Sequence, residues 1–156
     1  MTDLTEQLID TWAIHNRINL YILDAIPPEA LEGVSASKGR SVAAQFAHIH
    51  NVRLMWIKAA MPDLLAGLDK IESKPMPTPD QLRAGLITSG VAMESLLRAG
   101  LAAGRIKNFK PHPVAFIGYI ISHESYHRAE IGIILTQSGH PLPDKIAFGQ
   151  WEWGVR

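Results

Sequence analysis

The sequence predicts an all-α protein, a four-helix bundle with a short aromatic C-terminal tail. Apolar residues recur at spacings of three and four through long stretches, the period of a helix with one buried face. Start and stop signals bracket four such stretches. No strand ladder, internal repeat or low-complexity segment interrupts them. Four long helices with two longer connections favour a bundle over an α/β arrangement. The 156 residues suit one compact domain, residues 1–156. A chain of this length buries roughly 70% of its unfolded surface, enough for a proper core without staples.

The first helix is expected from about Asp3 to Ala25. Asp3 followed by Glu6 has the form of a capping box, and Pro27-Pro28 ends the segment. Leu8, Trp12, Ile18, Tyr21, Ile22 and Ala25 mark its apolar face. A Gly- and Ser-containing loop then runs from Pro28 to Arg40. Ser41 caps a second helix that reaches about Ala60, before Pro62, and a short turn or helix is expected at Asp63 to Leu68. Ser73 to Pro77 reads as a linker. Thr78-Pro79-Asp80-Gln81 is the strongest start signal in the chain, with Thr at the cap, Pro at the first helical position and Gln at the third. The third helix runs to about Ala103, and Gly85, Gly90 and Gly100 weaken it. Pro113 opens the fourth helix, which continues to about Ser138. Gly139 stands where a left-handed cap belongs, with Pro141 beyond. The tail, from Ile146 to Trp153, is aromatic and is expected to pack on the bundle.

Composition excludes several classes. Lys+Arg and Asp+Glu each count 15, so there is no net charge and no global field for nucleic acid or anionic lipid. There is no cysteine, which rules out disulfides, thiolate metal sites and a cysteine nucleophile. The acidic start lacks a signal-peptide pattern. The longest uncharged apolar stretch, Pro113 to Ser122, is too short for a bilayer. The expected location is the cytoplasm, with neither nucleic acid nor membrane as partner.

The histidines carry the chemistry. Of seven, His123 and His127 stand four apart inside the fourth helix. Four residues advance about 6 Å and turn slightly more than once, so both rings leave one face and reach one ion. A bare pair of this kind also serves as ordinary core or surface histidine. His123-Glu124-Ser125-Tyr126-His127 further satisfies H-E-x-x-H, the zinc-protease pattern with Glu as general base. That reading is disfavoured here. The extended form of the motif needs His where Ile133 stands, and no sheet is present to hold a peptide by strand addition. The third ligand is then sought upstream, at His48 or His50. Two residues apart is roughly 200° of rotation, so the two cannot face one ion, and periodicity does not choose between them.

The second-helix segment Ser41 to Ile49, the fourth-helix segment His123-Glu124-Ser125-Tyr126-His127-Arg128-Ala129-Glu130-Ile131, and the ending Gly139-His140-Pro141 together resemble the DinB/YfiT-like family of bacterial metal-dependent enzymes. The resemblance selects His48 over His50 and implies His48, His123 and His127 as the ligands. Ala129 departs from the glycine common at that place. The family implies an up-down-down-up bundle, zinc or nickel, frequent homodimers, and in some relatives S-transfer or isomerisation with a low-molecular-weight thiol as co-substrate.

Three protein ligands leave an open position on a tetrahedral ion, as in catalytic zinc sites. Water there ionises near pH ~7, and a thiol is deprotonated outright. Neutral imidazoles leave the divalent charge uncompensated, which suits an anionic ligand. Glu124, Glu130, Gln45, Asn51 and Tyr126 are candidates to orient the ligands. Glu124 is a weak candidate for a catalytic role, with solvation the blander expectation. His15 is a candidate for the pocket mouth, and His112 and His140 are expected at helix ends. Trp12, Trp56, Trp151 and Trp153 read as core or interface. Two function classes follow. One is a metal-dependent hydrolase or thiol-dependent S-transferase acting on a small molecule. The other is a non-catalytic, metal-stabilised helical dimer or binding scaffold.

Overall fold

The computed structural model describes residues 3–156; the first two residues of the expected domain lie outside that range. Four long helices make the bundle: α1 (Leu4–Asp24), α2 (Val42–Ala60), α3 (Pro79–Ala103) and α4 (Pro113–Gln137). No strand occurs among the described residues. α3 and α4 each pack on both α1 and α2, whereas the successive helices α1 and α2 are not principal neighbours.

The helix ends follow local side-chain chemistry. Ser41 Oγ accepts from Ala44 N–H at 3.1 Å. The Thr78–Gln81 capping box is complete in both directions, at 3.2 and 2.9 Å. His112 caps α4, its Nδ1 accepting from Ala115 N–H at 3.1 Å. Gly139 adopts φ 85°, and the next amide, of His140, reaches back to the Leu135 carbonyl at 2.8 Å, closing α4 with a left-handed cap. The box expected at Asp3 is only half formed. Asp3 accepts from Thr5 N–H, but Glu6 turns away to pair with Arg98 of α3 at 2.6 Å. Part of the 28–40 loop is a 3-10 turn, Pro28–Glu32, and a second such turn occupies Pro62–Leu65.

The core is layered along the bundle axis. One apolar cluster includes Ile22, Phe46, Leu82, Leu86 and Ile131; the other includes Trp12, Ile57, Met93, Phe116 and Ile120. Between them each long helix contributes buried polar side chains: His15 and Asn19 from α1, Arg53 from α2, Ser89 from α3 and Glu124 from α4. α3 is long and apolar enough to cross a membrane, the one such helix among the described residues. Its Leu82, Leu86, Met93, Leu96 and Leu97 are core residues of the bundle.

The tail forms a short helix, α5 (Asp144–Gly149), then a 3-10 turn over Trp153–Val155. It is tied to α1. The Arg156 guanidinium lies 3.7 Å from the Tyr21 ring centre, and Arg17 donates to the Arg156 carbonyl at 3.0 Å. The aromatic residues are less enclosed than expected, with Phe148 67% and Trp151 73% exposed. Anchoring falls to Ile146, which packs on the core, and to the contacts with Tyr21 and Arg17, which leaves Phe148 and Trp151 outside the core.

Candidate metal centre

α2 and α4 bring three imidazoles together. His48, His123 and His127 each offer a ring nitrogen, and the three nitrogens lie within 4.8 Å of one another. Ring centres are 4.4 Å apart for His48 and His127, 4.6 Å for His123 and His127, and 5.4 Å for His48 and His123. The i, i+4 spacing places the α4 pair on one face. α2 packs across that face and supplies the third ring.

The hydrogen bonds around His127 fix its tautomer. Gln45 donates its amide N–H to Glu130 Oε2 at 2.9 Å, which directs Gln45 Oε1 toward His127. His127 Nδ1–H therefore donates to Gln45 Oε1, at 2.7 Å, leaving the Nε2 lone pair free. Tyr126 donates to the other Glu130 oxygen at 3.1 Å. This is the arrangement that orients a ligand histidine: the non-ligating N–H is held by an amide oxygen that a carboxylate positions. His123 Nδ1 is buried with no hydrogen-bond partner among the described residues. An orphaned buried imidazole nitrogen is costly.

All three rings favour the neutral form a metal requires. Burial is the largest cause in each, and the positive field of Arg40 adds to it. For His48 the result is a pKa of about 4. Arg40 also lines two adjoining cavities. One, about 500 Å³, runs along the 35–40 loop, Gln45 and Glu130; the other, about 170 Å³, includes His48, Asn51 and Lys70.

The remaining sequence candidates fall elsewhere. His50 is directed at the backbone, each ring nitrogen 2.9 Å from a carbonyl, one of Gly85 and one of Asp69. Asn51 makes a reciprocal pair with the Ile71 backbone, 2.9 Å in both directions, and so ties the connection after α2 to that helix. His15 is not at a pocket mouth. It is fully buried, with Nε2 2.8 Å from Glu124.

Glu124 is neither solvated nor free for catalysis. One step around α4 from His123, it enters the core and is completely buried. Arg53 donates to it through Nε at 2.7 Å and a terminal nitrogen at 2.8 Å, and Asn19 donates at 2.8 Å. Burial alone would raise its pKa. The charge and hydrogen bonds of Arg53, with those of His15, outweigh burial and hold the carboxyl well below the usual range. A general base needs access to its substrate and a pKa near neutrality; Glu124 is completely buried and its carboxyl is held well below that range, which argues against the H-E-x-x-H protease reading. Sequence reasoning did not single out Arg53 or Arg40. An arginine midway along an apolar helix stretch was the available signal for Arg53.

Fold and site define an all-α, four-helix protein with a convergent three-histidine cluster between two helices. The DinB family model matches residues 1–86, more than half of the chain, and the protein belongs to the DinB family. His48 lies within the matched region, and His123 and His127 lie beyond it. No curated protein matches the chain.

Proposed function

We propose that the protein holds a divalent metal ion, zinc or nickel, through His48, His123 and His127, and acts on a small molecule as a metal-dependent hydrolase or thiol-dependent S-transferase. The convergence of three neutral imidazoles, with no fourth protein ligand among the described residues, carries this reading. An ion there supplies an activated nucleophile, drawn from water or from a low-molecular-weight thiol. The chain's own residues do the rest. Gln45 and Glu130 fix the His127 tautomer and ring orientation. Arg40, at the edge of both adjoining cavities, favours an anionic substrate. The larger cavity, about 500 Å³, has the size of a small-molecule site and meets the cluster through Gln45 and Glu130, whereas His48 lines the smaller one.

Elemental analysis of purified protein tests the ligand set. Wild type is expected to carry a stoichiometric divalent ion that His123→Ala loses; equal metal in both would refute it. Electrophile panels with and without thiols then separate hydrolase from transferase. A second reading, a non-catalytic metal-stabilised dimer or scaffold in the cytoplasm, draws on the engagement of Glu124 in the core, which takes the carboxylate of the H-E-x-x-H pattern out of use as a general base. It predicts a metal whose removal dissociates or unfolds the protein, without turnover of any electrophile.

A further inference from the structure

A cavity of about 540 Å³ lies between α4, α1 and the C-terminal tail, lined by residues outside the histidine cluster. From α4 it takes Ser125, Arg128, Ala129 and Ile133, a stripe at helical spacing. Arg128 follows His127 by one residue and is therefore turned by roughly 100° from the cluster face. The tail supplies Trp151 and Trp153 as the opposite wall.

Arg128 gives this cavity its chemistry. One terminal nitrogen donates to Asn19 Oδ1 at 2.7 Å, and the other to Ser125 Oγ at 3.3 Å. Both acceptors are neutral, and Arg128 pairs with no carboxylate among the described residues. Burial lowers its pKa, and Glu124 opposes that only through its longer-range field. A half-buried guanidinium without a directly paired carboxylate is an unfavourable arrangement that an anion would complete. The rest of the lining is mostly apolar, with two indoles, Ile22, Ile133 and Leu142 beside the polar Thr136, Gln137 and Gln150, which suits an amphipathic body rather than water alone. The charge is single, so a monoanion matches it.

We propose that this cavity is a second ligand site, for a small amphipathic carboxylate. Its head pairs with Arg128, and its aliphatic or aromatic body lies between Ile133 and the Trp151–Trp153 wall. Both indoles face the site, so ligand entry is readable in tryptophan emission. Sodium octanoate is the probe, octan-1-ol the uncharged control, and calorimetry the second readout, all on the full chain as purified. The expected result is saturable one-to-one binding of octanoate that perturbs the emission, with octan-1-ol at least about tenfold weaker. Arg128→Gln should weaken octanoate by at least about tenfold. Since Arg128 also braces Asn19, Ala129→Phe serves as the second variant. It fills the cavity from an exposed position without touching that contact, and should abolish binding while leaving the melting temperature near wild type. His123→Ala should bind octanoate as wild type does. Equal affinity for acid and alcohol, binding that survives both variants, or binding lost in His123→Ala would overturn the proposal. So would no saturable binding, including the case in which light scattering shows a second copy covering this face.

Discussion

Arg53 grips Glu124 through two nitrogens, at 2.7 and 2.8 Å, with neither side chain exposed to solvent. Neither charge has water as an alternative partner, so the pair is conditional: each is tolerable because the other is present. Removing one side should therefore cost far more than the net value of the bond. Glu124→Ala is expected to destabilise the fold by about 3–5 kcal/mol in urea unfolding. Metal uptake by the folded fraction should persist, since Glu124 holds no place in the histidine cluster. A variant that unfolds near the wild-type midpoint would show that the layer contributes little.

Gln45 links the cluster to Glu130. Gln45→Leu keeps the bulk of the side chain and removes the oxygen that accepts from His127 Nδ1–H. Metal affinity, measured by competition with a chromophoric chelator, should fall by about 10–100-fold, with little change in the apo melting temperature. Unchanged affinity would mean that Glu130 Oε2, 3.3 Å from the same nitrogen, holds His127 without Gln45.

The histidines make the metal-free protein sensitive to acid. His15, His48, His50, His123 and His127 all have pKa values lowered from 6.5, with burial the first cause in each. The unfolded chain takes up protons at these rings as pH falls through 6.5, while the folded chain does so only at lower pH, about 4 for His48. The unfolded state therefore binds more protons in that window, and stability falls as pH falls. Denaturation midpoints of apo protein should decline steadily from pH 7 toward pH 4.5. A flat profile across that range would contradict buried, neutral rings.

Gly90 lies where α3 meets α1. A β-carbon there would overlap the Asn16 side chain, which accepts from Arg53 at 2.8 Å and donates to the Leu86 carbonyl at 3.2 Å. The Gly90 carbonyl also accepts from the Trp12 indole at 3.0 Å. Gly90→Ala should destabilise by about 1–3 kcal/mol, despite alanine's better helix propensity. A gain in melting temperature would show that α1 and α3 approach less closely than drawn.

Much of the fold was legible because helix ends are local. Ser41, Thr78 with Gln81, and Gly139 each cap through residues a few places away, and each cap forms where the sequence puts it. The failures are non-local. Glu6 reads as a capping partner, but Arg98, far along the chain, outcompetes that role. Glu124 reads as a solvated helix residue until Arg53, 71 positions away, arrives beside it. Gly85 and Gly90 look like helix weaknesses and prove to be contact points, against His50 with Ile71 and against Asn16. For the cluster, helical geometry shows that His123 and His127 share a face and that His48 and His50 do not. It leaves open which of the latter two joins the α4 pair, and His50, the more buried, is not the one that does. The Gly85 and Asp69 carbonyls that receive His50 belong to other segments and leave no trace in the second helix.

The six residues from His123 to Arg128 serve three separate surroundings: the histidine cluster, the buried polar layer and the cavity beside the tail. Their assignments depend only on angular phase about the α4 axis. One inserted or deleted residue within this stretch rotates everything beyond it by about 100° and exchanges all three at once. Length variation among related chains should therefore collect in the connections at 28–40 and 61–77, where no such phase is kept, and be absent between His123 and Arg128.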